Sequence, residues 1–202
     1  MSKEILRPED DFYETPSKAT YTLFSHLRVP EDVSLWEPAC GGGAISRVME
    51  KLPSHNPVYS SDLNHNGYGT TGLDFLHCDW RPEEKFWIVT NPPYKYAAEF
   101  VRKAIELGAE RIIMFLRFNF LESATRREDI LENQHLMRVF LIKERVTMYP
   151  ARYTGKIGSS SYPHAWFMWD KNFMAPIKNE VVVRRVSLRD GENYEKIINM
   201  VQ

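Results

Sequence analysis

The tetrapeptide Asn91-Pro92-Pro93-Tyr94 combines residue types that can act on a planar ring bearing an amine. The asparagine amide oxygen and the carbonyl of the next residue can both accept from one exocyclic amine, while the tyrosine stacks on the ring that carries it. Taken alone, an Asn-Pro pair is more often loop punctuation than a site. Two consecutive prolines cannot donate to a ladder or enter a helix interior, so the apolar run 86–90 ahead of them reads as a short buried strand that must stop there. Asn91 and Tyr94 then project from a stiff turn at the carboxyl end of a strand, where open α/β sheets bind ligands.

Upstream lie residues suited to a nucleoside-containing cofactor. Gly41, Gly42 and Gly43 fall between a predicted strand and a predicted helix, where the backbone can approach a ligand closely and a helix amino terminus favours an anion. No Gly-Lys-Ser/Thr follows, and Ser46 stands where a dinucleotide fingerprint has its last glycine, so a structural turn is an equal reading. Asp62 follows about twenty residues later at a strand end, where an acid can take both ribose hydroxyls. Asp74 before Phe75 and Asp79 before Trp80 compete for a purine amine; each pairs an acceptor with an aromatic wall, and each is equally able to cap a turn. Cys40, Cys78 and His77 lack metal-ligand spacing, so no metal site is predicted, and His164 at the head of an apolar strand reads as a structural histidine.

The elements that must position these residues alternate. A helix capped by Thr15 or Ser17 runs to Leu27; strands are predicted at 32–36, 58–61, 86–90, 111–116, 135–142 and 164–169, with a weak strand or a turn at 72–76 and weak alternation over 181–188. Helices are expected after the glycines, over 97–107 with Phe100, Val101, Ala104, Ile105 and Leu107 inward and Gly108 as cap, near 122–133, and over 192–201 capped by Asp190. This order implies a mostly parallel sheet covered on both faces. The 202 residues, 43% hydrophobic and 26% charged, suit one domain, and the net charge of −1 gives no bulk argument for nucleic acid. The amino terminus lacks a signal-peptide stretch and no run approaches the roughly 20 apolar residues of a membrane span, so a soluble, cytoplasmic protein without a membrane partner is expected.

Glu14-Thr15-Pro16, Glu37-Pro38-Ala39-Cys40-x-x-Gly43, Asp62, Asp74-Phe75-Leu76 and Asn91-Pro92-Pro93-Tyr94 stand in the order seen in the γ group of adenine-specific DNA amino-methyltransferases, which the sequence resembles over 11–118. The resemblance implies an α/β, Rossmann-like class I methyltransferase: a seven-stranded, mostly parallel sheet with helices on both faces, forming one domain over 1–202. Residues 1–30 would be a cofactor-contacting segment, 31–118 the cofactor and catalytic half, and 119–202 the half that completes the sheet. It further implies S-adenosylmethionine as cofactor, S-adenosylhomocysteine as product and no metal. Asn91, Pro92, Pro93 and Tyr94 would be catalytic; Tyr13, Thr15, Pro16, Glu37, Pro38, Ala39, Cys40, Gly41, Gly43, Asp62, Leu63, Asp74, Phe75 and Asn91 would bind cofactor. Within that set Thr15 would contact the methionine carboxylate, Glu37 the amino group, Asp62 the ribose and Asp74 the adenine amine. DNA is the implied partner, its target adenine flipped out to stack on Tyr94.

Larger members of that group carry a separate domain that reads DNA, whereas here about 80 residues follow the fifth strand and are needed for the sheet. Substrate contacts are therefore expected from Tyr94 and from two segments in which basic and aromatic residues interleave, Phe118, Arg126 and Arg127 in one and Arg152, Tyr153, Lys156 and Tyr162 in the other. A solvated charged face is an equal reading of both, and Arg184-Arg185 reads as an exposed strand edge. Enzymes that methylate adenine in RNA or glutamine in release factors carry the same tetrapeptide and are the nearest alternatives. A non-catalytic cofactor- or nucleic-acid-binding module leaves Asn91 and Tyr94 without a purpose, and a dinucleotide-dependent oxidoreductase leaves the tetrapeptide unexplained.

Overall fold

The computed structural model describes residues 13–82, 85–122, 127–131, 135–150, 162–177 and 180–201. In chain order the elements are β1 (Tyr13–Glu14), α1 (Ser17–Phe24), β2 (Ser34–Glu37), α2 (Ser46–Met49), β3 (Val58–Asp62), β4 (Thr70–Thr71), β5 (Phe86–Thr90), α3 (Ala97–Glu106), β6 (Arg111–Arg117), β7 (Leu136–Ile142), β8 (Tyr149–Pro150), β9 (His164–Asp170), β10 (Val182–Val186) and α4 (Leu188–Val201). The main sheet runs β10-β7-β9-β6-β5-β2-β3-β4, and β1 pairs separately with β8. All its ladders are parallel except those of β9, which is antiparallel to both β6 and β7. Leaving aside the two-residue edge strand β4, seven strands form the sheet, and the fold is α/β as expected.

The continuous apolar runs follow from burial on both faces. Alternate residues divide cleanly between two cores. Leu35, Trp87, Val89, Ile113, Phe115, Phe140 and Trp166 meet α1, α2 and α4 on one side. Trp36, Phe86, Ile88, Ile112, Met114, Val139 and Phe167 meet α3 on the other. Helix α1 is buried all round from Ala19 to Phe24 because α4 covers its outer face: a Cβ added at Gly191 would strike the Lys18 carbonyl and the Thr22 side chain. The Trp166 indole also reaches over to donate to the Ala19 carbonyl at 2.9 Å.

Several local expectations need correction. Neither Thr15 nor Ser17 caps α1; Pro16 sits at its N-cap, and no side chain bonds there. On α3, Ile105 is 46% exposed rather than inward, since the buried stripe Ala97, Phe100, Val101 and Ala104 turns away from it. Of the strand or turn expected over 72–76 the structure has the turn, in which Asp74 binds Leu76 and His77, while the short strand Thr70–Thr71 lies just before it. Near 122–133 the described residues form a 3-10 turn, Phe118–Glu122, and a π turn, Arg127–Leu131, instead of a regular helix. Helix α4 begins at Leu188, so Asp190 lies in its first turn. There it reaches back to the Ser187 N–H at 3.0 Å while the Ser187 hydroxyl accepts from Arg189 N–H at 3.2 Å, a capping box.

Among the described residues no helix is long and apolar enough to cross a membrane.

Candidate functional site

Strand β2 lies between β3 and β5, so the chain leaves β2 in one direction for β3 and β4 and returns on the other side for β5. The crevice beyond the carboxyl ends of β2 and β5 is the place where this topology receives ligands. Glu37 and Asp62 end β2 and β3, Asn91 follows β5, and Arg117 ends β6. His164 starts the antiparallel β9 directly opposite Arg117, so all five converge on one edge of the sheet.

At β2 the chain turns through Gly41 and Gly43, whose φ values of 52° and 84° favour glycine. Gly43 N–H closes the turn on the Cys40 carbonyl at 2.7 Å, and the Tyr68 ring occupies the space a Cβ on Gly43 would need. Asp62, 8% exposed, accepts from Gly41 N–H at 2.8 Å and from Asn64 N–H at 2.7 Å, which joins the ends of β2 and β3. The neighbouring Leu63 is 57% exposed. Cys40 is buried, and burial pushes its thiol up to about 12, so it is an inert wall of the turn.

Glu37, expected beside an amino group, is engaged by the chain itself. It is 2% exposed, accepts from Ser46 N–H at 2.7 Å and from the Ser46 hydroxyl, and so anchors the chain at the start of α2. Burial holds its carboxyl well above the usual range, opposed by those two hydrogen bonds. Asp74 accepts from Leu76 N–H at 3.0 Å and lies 2.8 Å from His77 Nδ1, which makes it a turn former. Phe75 is 2% exposed between Trp36 and Phe100, so it presents no open wall to a ligand. Asp79 is exposed, while Trp80, 45% exposed, sets its edge against Trp36.

The corner after β5 is half-open. Asn91 and Tyr94 are each partly buried, and Pro92 is buried. Asn91 Nδ2 donates to the Tyr13 carbonyl at 3.0 Å, which fixes the amide orientation and commits its donor end, leaving Oδ1 as the acceptor. Strand β1 is thus strung across the crevice: Tyr13 holds Asn91, the Glu14 carboxylate presses on Gly42, and Thr15 brings a buried hydroxyl with no hydrogen-bond partner.

Tyr94 has a support that the sequence reading missed. Its hydroxyl lies 3.3 Å from His164 Nε2, and the Arg117 guanidinium sits 4.7 Å from its ring centroid and 4.7 Å from that of Tyr162. His164 stacks on Phe115, and burial followed by the Arg117 charge lowers it to about 4, so it is neutral near pH 7. No local motif announces this; the signal is the antiparallel register that sets His164 opposite Arg117.

Of the expected substrate contacts, Tyr162 is 48% exposed beside Arg117, and Phe118 packs partly against the core while its N–H bonds to the Pro163 carbonyl at 2.9 Å. Arg126, Arg152, Tyr153 and Lys156 lie outside the described residues, as does the side chain of Arg127. No group of three or more His, Cys, Asp or Glu among the described residues could hold a metal ion.

No family model matches the chain, and no curated protein matches it. Solved structures do. The type I restriction-modification methyltransferase subunit from Streptococcus thermophilus superposes with a TM-score of 0.62 at 15% identity, over 94% of this chain and 53% of that one. The fold is that of the Rossmann-like methyltransferases. The EcoKI M protein gives 0.53 at 16% identity, over 88% of this chain and 49% of its own length. A Pyrococcus horikoshii protein named as a candidate RNA methyltransferase gives 0.58 at 12%, over 84% of this chain and 93% of that one. The chain spans about half the length of the type I subunits it resembles.

Proposed function

We propose that this chain uses S-adenosylmethionine to methylate the exocyclic 6-amino group of adenine in DNA. One observation carries the reading: the Asn91 amide, with its donor end tied to the Tyr13 carbonyl, leaves its oxygen as acceptor at a proline-stiffened corner beside the ligand crevice of a methyltransferase fold. The residues present fit the cofactor. The Thr15 hydroxyl is 3% exposed and lacks a partner, the Gly41–Gly43 turn allows close approach, and Asp62 keeps lone pairs for ribose hydroxyls beside the exposed Leu63.

Bound S-adenosylmethionine supplies an electrophilic methyl on a sulfonium. The chain's own work is positioning. Asn91 Oδ1 and the Pro92 carbonyl accept the two protons of the target amine, since the Pro93 carbonyl is already taken by Tyr96 N–H at 2.9 Å. Holding both protons draws the nitrogen lone pair out of conjugation with the ring and directs it toward the methyl. Tyr94, braced by Arg117 and by neutral His164, offers its ring to a base that has left the stack. The acceptors also offset the positive charge that develops on the amine.

A second reading, adenine in RNA, gains support from the Pyrococcus horikoshii structure, of whose length this chain covers 93%. Incubation with methyl-labelled S-adenosylmethionine and parallel DNA, RNA and protein pools, followed by nucleoside mass spectrometry, separates them. N6-methyladenine from DNA is expected. Label confined to RNA moves the assignment to the second reading, and no transfer to any pool ends the enzymatic one.

A further inference from the structure

The glycine turn carries an acid that the reaction described so far does not use. Glu14 lies so close over Gly42 that a Cβ added there would collide with its Oε1. The residue is partly exposed and, among the described residues, its carboxylate has neither a hydrogen bond nor an ion pair. A carboxylate that no group of the chain neutralises is open to a cation. The next residue, Thr15, brings a hydroxyl that is 3% exposed and also without a partner. An acceptor-only anion and a hydroxyl on consecutive residues match the two ends of a zwitterionic amino-acid group, the ammonium going to the carboxylate and the carboxylate to the hydroxyl.

Of the other acids near the turn, Asp62 is bound to Gly41 N–H, and Glu37 is ill suited to that part. Its carboxylate is sealed against Ser46 N–H and hydroxyl at 2% exposure, and the Ser60 hydroxyl closes the network by donating to Ser46 Oγ at 2.6 Å. We propose that Glu14, rather than Glu37, is the counter-ion for the α-ammonium at the amino-acid end of the cofactor. This rests on the S-adenosylmethionine reading above. It also gives Gly42 a purpose, since any side chain there would displace the Glu14 carboxylate.

Calorimetry on the full chain tests it with three ligands: S-adenosylhomocysteine, the analogue lacking only the α-amino group, and 5′-methylthioadenosine, which lacks the whole amino-acid end. In the parent chain, loss of the amino group is expected to weaken binding on the order of tenfold. Glu14→Gln is expected to weaken S-adenosylhomocysteine by a similar factor and to leave the other two ligands unchanged. Equal weakening of all three, or unchanged S-adenosylhomocysteine affinity, overturns the assignment. Should Glu14→Gln not fold, the parent chain still decides: equal affinity for S-adenosylhomocysteine and its desamino analogue overturns it as well. A parent chain that binds none of the three removes the cofactor reading and this proposal together, whereas indifference to Glu14→Gln removes this proposal alone.

Discussion

Asn91 and His164 show how far single side chains depend on their neighbours. On the proposed reading, replacing Asn91 by Ala removes the acceptor for the target amine, so turnover should fall by at least about 100- to 1000-fold. Cofactor affinity by calorimetry should stay within about threefold; a variant that still turns over would take Asn91 out of the mechanism. His164 makes a different, pH-dependent contribution. Its folded value is about 4 against an ordinary 6.5, lowered by burial and then by Arg117. Between those values the unfolded chain holds the extra proton, so stability is full above about pH 6.5 and declines as pH falls toward 4. The total is on the order of 3 kcal/mol. Urea unfolding at several pH values should show that slope in the parent chain and a flatter one in His164→Gln. Glu37, raised by burial, acts in the opposite sense, its contribution present in acid and lost as pH rises through its folded value. The placement of Asn91 and Tyr94 just past a strand end was legible because two prolines stop the strand there. That of His164 was not, because an apolar strand looks the same from sequence whether or not its first residue faces an arginine across a ladder.

At the scale of the element, the turn after β2 is the most constrained piece of backbone. Gly43→Ala would place a Cβ both at a φ of 84° and inside the Tyr68 ring, whereas Gly67→Ala faces a similar φ of 81° with nothing within 4 Å. The Gly67 variant should lose about 1 kcal/mol, the left-handed penalty alone. The Gly43 variant should lose about 1 to 3 kcal/mol more, read from urea midpoints, because the ring must move. Equal losses would mean that Tyr68 yields freely. Strands β5, β6 and β9 were readable as buried runs since both faces are covered. The start of α4 was misread by four residues, although Ser187-x-x-Asp190 is a capping signature; the weak alternation before it masked the signal. The two-residue β4 offered no periodicity to read, and the glycines at 67, 69 and 72 described only turns.

For the molecule as a whole, a net charge of −1 argues that DNA, if it is the substrate as proposed, would be gripped by few cations. If Arg126, Arg127, Arg152 and Lys156 each meet one phosphate, binding should fall with salt at a log–log slope of about −3.6. A titration by fluorescence anisotropy giving a slope near −8 would require a basic surface the sequence does not advertise. The parallel half of the sheet followed from alternating elements, but the placement of β9 did not, because a crossover leaves no mark on local composition.

That placement has a consequence for the order of assembly. Among the described residues, 164–170 are the sole bridge between the piece of sheet ending at β6 and the β7–β10 pair. A growing chain can therefore lay down β2 through β6 in the order of translation, yet β7 must wait beside an empty slot until a segment made later arrives to fill it. Until then Phe115 and Phe140 lack their eventual cover from Trp166. The keystone that steadies Tyr94 is thus set late, with only β10 and α4 to follow among the described elements, and an interrupted nascent chain should attract holdases most strongly just before it.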